Sequence, residues 1–172
     1  MKQNDFLEVV HLVDTDGAYI SDNSIEKTED RQPVYNDEMI CISTPQKIAC
    51  RNRQKRQNLN VLVGASEVWG HIPYSVYFFS CNLDHVLHNN ANLPAKEKDS
   101  KALVFANKFQ QNPMEFIQFI NQRDIYTEDT YKDSWEYIKK GTNSLKRKTN
   151  FGVFFSQEAK SFPREFLTHS AN

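Results

Sequence analysis

Cysteine is scarce in this chain: Cys41, Cys50 and Cys81 are an odd number with no close pairing. That excludes a disulfide framework and points to a reducing compartment. Neither a C-x-x-C nor an H-x-x-x-H pair occurs, so the common zinc spacings are missing; His85 and His88, three apart, are a pair that a helix would set on one face. No apolar leader opens the chain and no apolar span is long enough for a membrane, so the expectation is a soluble, cytoplasmic protein with no membrane partner. Internal repeats and low-complexity segments are missing too. The net charge of −1 argues neither for nor against nucleic acid. Its distribution says more, because residues 1–44 hold ten acids against three bases while the remainder is basic.

What is present is concentrated in EVVHLVDTDG, residues 8–17. The apolar run over residues 7–13 reads as a buried strand, since Val9, Val10, Leu12 and Val13 leave almost no polar face. Asp14 and Asp16 stand at its carboxyl end, where open α/β sheets place their sites. Side chains two apart on an extended segment point the same way, so both carboxylates reach one hard cation. Gly17 lets the chain turn away without a Cβ. An ordinary Asp-Gly turn after a buried strand would be written in the same letters.

Residues 18–35 carry Asp22, Glu26, Glu29 and Asp30 with little apolar periodicity; they read as a long acidic loop with a short helix near residues 24–29. Residues 38–43 alternate as a short strand, with a turn at residues 35–37 as the other reading. Thr44-Pro45 starts a helix that runs to Gly64, with Ile48, Leu59, Leu62 and Val63 as its apolar positions. The middle of that helix presents Arg51, Arg53, Lys55 and Arg56, either a solvated face or a surface for phosphate or an acidic partner. Residues 76–80 form the second strong strand, and it too ends in polar groups, from Ser80 to His85.

Further helices are expected over residues 94–110, 112–123 and 130–140, the first with Ala102, Leu103, Phe105, Ala106 and Phe109 as its apolar stripe. FGVFF at residues 151–155 reads as a last strand, followed by a tail in which Phe162 and Phe166 dock. The expected fold class is α/β. One small mixed sheet, built from residues 7–13, 38–43, 76–80 and 151–155, is flanked by helices, and the C-terminal half is helix-rich. Residues 1–172 make a single domain in this reading, with a core over 7–90, a helical part over 94–140 and the final strand and tail over 151–172.

HLVDTDG followed by FFSCNLDHVLHN at residues 78–89 resembles the C-terminal half of a Toprim domain, of the kind found in OLD-type and abortive-infection proteins of bacteria and phages. In that family an Asp-x-Asp pair at a strand end binds magnesium. In the defence-associated branches a later strand leads into a Ser-Asn-Pro-x-Phe-Glu-like motif and an apolar helix. The resemblance covers residues 7–90 and implies a truncated Toprim-like fold with Asp14 and Asp16 as metal ligands, Asp84 in the place of the motif's acid, and Asn82 and His85 in support. The implied cofactor is a divalent cation, magnesium or manganese, with zinc the alternative if His85 or His88 joins the site. A complete Toprim domain also supplies a glutamate from an earlier strand and helix. Six residues precede Leu7, too few for a strand-helix-strand unit at ~1.5 Å per helical residue or ~3.3 Å per strand residue. Two-metal or general-base chemistry then lacks a participant.

Two functions follow from this. In the first, a metal-binding protein of phage or mobile-element origin binds a protein of a nucleic-acid-processing complex and interferes with it. Anti-CRISPR-like inhibition of a CRISPR nuclease is one form. Glu26, Glu29 and Asp30 would then occupy a basic channel in place of phosphate, and Arg51, Arg53, Lys55 and Arg56 are the competing surface. In the second, the chain is a Toprim-type, metal-dependent nuclease or phosphotransfer enzyme. It would use Asp14 and Asp16 as ligands, Asp84 as a third ligand or base, and the basic helix on nucleic acid. A fragment of a larger protein is the third reading.

Overall fold

The computed structural model describes residues 6–128 and 130–161, with the backbone alone for 157–161. Strand β1 (Val9–Asp14) is followed by a 3₁₀ turn (Asp22–Ser24) and the short strands β2 (Ile25–Lys27), β3 (Val34–Tyr35) and β4 (Ile40–Ile42). Helix α1 (Pro45–Gly64) leads to β5 (Glu67–Val68) and β6 (Ile72–Phe79). Helices α2 (Leu83–His88), α3 (Ala95–Gln110), α4 (Pro113–Ile120), α5 (Tyr131–Ile138) and α6 (Phe151–Ser161) complete a mixed α/β fold. No helix among the described residues is long and apolar enough to cross a membrane.

The expected neighbours are neighbours: β1 and β6 pair in parallel from Val9 opposite Tyr74 to Asp14 opposite Phe79. The single sheet is corrected, because the strands form two sheets, ordered β1-β6-β5 and β2-β4-β3. Strand β4 pairs in parallel with β2 and antiparallel with β3 rather than with β1. Its Ile40 and Ile42 face a separate cluster with Ile20, Ile48 and Leu145. The acidic segment is therefore not one long loop. Ala18 and Ile20 within it are fully buried, and strand β2 stands where a short helix was expected. β1 ends its sheet, which leaves Leu12 about half exposed and corrects the expectation of a strand buried on both faces.

The last expected strand, residues 151–155, is the start of α6. A run of five apolar residues fits a buried helix turn as well as a strand, and the backbone partners decide. Thr149 already bridges Phe79, its hydroxyl donating to the Phe78 carbonyl at 2.6 Å, while Asn150 Oδ1 accepts from the Phe78 amide at 2.8 Å. Thr149 Oγ1 then accepts from the Phe151 amide, turning the chain into the helix. Gly152 is the residue that fits there: a Cβ would lie 2.3 Å from Asn121 Oδ1.

The main core lies between β6 and the helices α1 and α5. Val76 and Phe78 are fully buried against Leu59, Trp135 and Ile138, and the Phe78 ring meets the Trp135 ring edge-on at 5.0 Å. Burial of each such side chain contributes roughly 1.5–3 kcal/mol. On the helical side Phe105, Phe109, Phe116 and Phe119 interlock through tilted and edge-on rings. The expected α3 stripe is only partly inward. Phe109 is buried, but Leu103 is 63% exposed and Ala102 and Ala106 face solvent. The expected docking of Phe162 and Phe166 lies outside the described residues.

Candidate functional site: a carboxylate cluster with its own cations

The parallel pairing delivers both motifs to one sheet edge. Beyond Asp14 and Phe79 the strands stay laced together: the Thr15 amide donates to the Phe79 carbonyl at 3.1 Å and the Asp16 amide to the Cys81 carbonyl at 2.6 Å. Thr15 is fully buried between the aspartates. Its hydroxyl donates to the Ser144 carbonyl at 3.1 Å and accepts from the Cys81 amide at 3.0 Å. Asp14 and Asp16 on either side of Thr15 are partly buried. Asp16 and Gly17 both take positive φ, 48° and 67°, so the chain reverses directly behind the second carboxylate. A Cβ on Gly17 would stand 2.5 Å from Leu145 Cδ2, so glycine is required for space as well as for conformation.

Asp14 Oδ1 accepts from the Leu83 amide at 2.8 Å, which ties β1 to the first turn of α2 and brings Asp84 alongside. Burial pushes the Asp14 carboxyl above its ordinary range. The negative charges of Asp16 and Asp84 push the same way, against the Leu83 N–H and Lys55. Asp14 thus senses both of the other carboxylates. Asp16 and Asp84 each face a lysine: Lys55 of α1 pairs with Asp16, and Lys98 Nζ of α3 lies 2.6 Å from Asp84. The hydrogen bond to Asp84 holds the Lys98 ammonium above its ordinary value. Among the described residues, no three His, Cys, Asp or Glu side chains stand in an arrangement that would hold a metal ion. In donor chemistry the aspartates suit a hard divalent cation; in this arrangement lysines supply the positive charge.

His85 stands apart from that cluster. It is 8% exposed, its backbone amide donates to the N-cap side chain of Asn82 at 2.9 Å, and its charged neighbours are Asp37 and Arg147 rather than the three aspartates. Burial lowers its basicity. His88 packs edge-on against the Phe105 ring, so the two histidines do not converge. Asn82 also donates to the Ala91 carbonyl at 2.9 Å, a structural role.

Arg51, Arg53, Lys55 and Arg56 of α1 are engaged within the molecule. Arg51 donates to the Asp16 carbonyl at 2.8 Å and to the Tyr35 hydroxyl at 3.0 Å, and Arg56 to the Ile20 carbonyl at 3.3 Å. Arg53 pairs with Asp22 at 2.9 Å. Asn52, fully buried, donates to the Gly17 carbonyl at 3.4 Å and accepts from Arg51. By contrast Glu26, Glu29 and Asp30 are exposed and form no ion pair among the described residues.

Lys98, Tyr35 and Ser144 were invisible to the sequence reading. Lys98 is one lysine in AKEKDSK, and only the approach of α3 to α2 selects it. Arg147 braces the end of α2. Its guanidinium donates to the His85 and Val86 carbonyls near the end of α2 and pairs with Asp124 at 3.1 Å. No family model matches this chain, and no curated protein or solved structure matches it either.

Proposed function

We propose that this chain is a Toprim-like, divalent-cation-binding protein that occupies a basic surface of a nucleic-acid-handling protein and interferes with it, as an anti-CRISPR-like inhibitor of phage or mobile-element origin would. One contrast carries the reading: Arg51, Lys55 and Arg56 are turned into the molecule, while Glu26, Glu29 and Asp30 are exposed and form no ion pair among the described residues. A helix whose cations already hold Asp16 and the Ile20 carbonyl has little charge left for a phosphate backbone. A lobe of uncompensated carboxylates suits a channel built for phosphate. Asp14, Asp16 and Asp84 supply the oxygen donors that magnesium or manganese prefers, and to hold the cation they would have to close on it from an arrangement in which Lys55 and Lys98 now occupy two of them. Bound there, it would relieve the mutual repulsion that raises the Asp14 carboxyl.

The test adds purified protein to a DNA- or RNA-cleaving CRISPR nuclease and measures inhibition for the wild type and for the combined Glu26→Lys, Glu29→Lys, Asp30→Lys variant. Inhibition lost only in the variant supports the reading. The second reading, a metal-dependent nuclease, is favoured by the place of Asp14 at the carboxyl end of β1, where the charges of Asp16 and Asp84 both act on it. Magnesium-dependent cleavage of nucleic acid by the chain itself, abolished by Asp14→Ala, would replace the first reading with the second.

A further inference from the structure

The two edges of the first sheet differ in how their main chain is satisfied. On the outer side of β6 every second residue has its partners. The Tyr74 amide donates to the Ser66 carbonyl at 2.9 Å, and the Tyr131 hydroxyl donates to the Val76 carbonyl and accepts from the Val76 amide. Asn150 and Thr149 close on Phe78 in the same way. β1 is the other edge. The phase of its ladder follows from the Thr15 amide, which donates to the carbonyl of Phe79, the residue opposite Asp14. Bonding alternates along a parallel pair, so Val9, His11 and Val13 turn their main chain towards β6 while Val10, Leu12 and Asp14 turn theirs away. Among the described residues, no hydrogen bond reaches the amides or carbonyls of Val10 and Leu12.

Native sheets seldom leave such an edge bare, and blunt it with lysine, proline or a bulge. VVHLVD holds neither lysine nor proline, and its six residues pair with β6 without interruption. Side chains alternate with the main chain, so Val10, Leu12 and Asp14 share one face of the sheet, and Glu8 precedes them in the same alternation. Leu12 is half-exposed and Val10 partly so. Neither Glu8 nor Asp14 forms an ion pair among the described residues. Every second position thus reads acid, apolar, apolar, acid, beside a row of free donors and acceptors. A strand carrying base, apolar, apolar, base at the same spacing satisfies both rows. A second copy of this chain fits worse. Laid antiparallel about Leu12, it sets Glu8 of one chain opposite Asp16 of the other, like charges directly across the ladder.

We propose that β1 is a docking edge for an extended segment of a partner protein, patterned base-x-apolar-x-apolar-x-base, which adds to the sheet beyond β1. Val10 and Leu12 supply the main-chain bonds and the apolar contact, and Glu8 and Asp14 pair with the flanking bases. The pattern is symmetric, so parallel and antiparallel addition both satisfy it. This surface lies apart from Glu26, Glu29 and Asp30, shares only Asp14 with the proposed cation site, and stands whether or not the proposed function does.

The experiment titrates the full chain, in buffer free of divalent cations, into the fluorescein-labelled peptide amide Arg-Thr-Val-Thr-Val-Thr-Arg and into the same peptide with glutamate at both ends. Saturable anisotropy is expected with the first, and binding at least about tenfold weaker with the second. Hydrogen exchange followed by NMR supplies the readout that side-chain docking alone would not move: the Val10 and Leu12 amides should slow at least about tenfold in the complex. Leu12→Lys should weaken binding by a similar factor while melting as the wild type does, since Leu12 is half-exposed. Asp14→Asn, which keeps an acceptor for the Leu83 amide, should weaken the arginine peptide severalfold and leave the glutamate peptide no weaker. Any one of four results overturns the proposal: no saturation by the arginine peptide, equal binding of the two peptides, a complex in which the Val10 and Leu12 amides exchange as before, or unchanged binding by both variants. A free chain that sediments as a dimer with those amides already protected would give the edge to a second copy, and overturns it as well.

Discussion

At the edge of the first sheet Asp16 and Asp84, with side chains 31% and 18% exposed, each face a lysine; around the second sheet Glu26, Glu29 and Asp30, open to water, face none among the described residues. The same side-chain chemistry is compensated in one place and left bare in the other, and solvent is the difference. A half-buried carboxylate loses hydration that only a cation or a set of donors restores, whereas an exposed one keeps its water and gains little from a surface ion pair. Helix α1 serves both regions. Lys55 neutralises the first, and Arg51, Asn52 and Arg56 hold the backbone that leads into the second. The second lobe is thus fastened through its backbone carbonyls, which leaves its carboxylates free.

The largest expected effect comes from breaking the joint between the regions. Gly17→Val places a branched side chain at φ 67° and within 2.5 Å of Leu145, beside Ile40 of the second sheet. Urea unfolding is expected to show a loss of about 3 kcal/mol, from backbone strain and overpacking together. Arg51→Ala comes next. It strips donors from the Asp16 carbonyl and the Tyr35 hydroxyl, at a cost of about 2 kcal/mol. Hydrogen exchange should speed up in β2 and β4 before it does in β6. Uniform acceleration across both sheets would mean that α1 does not fasten the second lobe separately.

How legible these regions were follows from the length of their signals. The β1–β6 pair was readable, because long apolar runs mark parallel strands. Strands of two or three residues, as in β2, β3 and β4, give no measurable alternation, so the acidic segment read as loop. FGVFF carried apolar character without period, and Thr149 and Asn150 settled it as helix through bonds to Phe78 that only the fold supplies. The basic run on α1 was legible as charge but not as direction. Which of its cations turn inward depends on where residues 16–22 pass over the helix. The resemblance grouped His85 with Asp84, yet consecutive helical residues do not share a face, and the charged neighbours of His85 are Asp37 and Arg147.

Asp14 sharpens the comparison further, because it is half-buried and has no lysine of its own. Its carboxyl is raised in the folded protein, so the fold binds that proton more tightly than the unfolded chain does. The ionised form therefore costs stability at neutral pH, and the cost disappears as pH falls through the folded-state value. Asp14→Asn keeps an acceptor for the Leu83 amide while removing the charge. It is expected to melt above the wild type at pH 7, with the gap closing as the pH is lowered. A gap that stays constant with pH would remove the electrostatic account. Lys55→Gln tests the neighbouring claim, that lysine and cation supply the same charge. Stability should fall by ~1 kcal/mol or less, and magnesium or manganese should bind more tightly by calorimetry. Unchanged or weaker binding would separate Lys55 from the cation site.

The smallest expected change in stability belongs to the bare carboxylates, and it is there that the proposed function is most exposed to refutation. Glu26, Glu29 and Asp30 make no ion pair among the described residues, and the Asp30 carboxylate accepts from the neighbouring Thr28 hydroxyl at 2.7 Å. Replacing all three with lysine removes no buried contact, so unfolding free energy should stay within about 0.5 kcal/mol of the wild type. Inhibition of a nucleic-acid-cleaving partner should nevertheless be lost. In the wild type it should weaken as salt rises, because the attraction is between exposed charges. Arg53→Glu is the matched control: it reverses an exposed charge on α1 and frees Asp22 from its partner. If the acidic lobe is the contact surface, that variant inhibits at least as well as the wild type. If Arg53→Glu abolishes inhibition and the triple lysine variant does not, the basic helix is the surface, and the distinction drawn between the two regions fails where it matters for function.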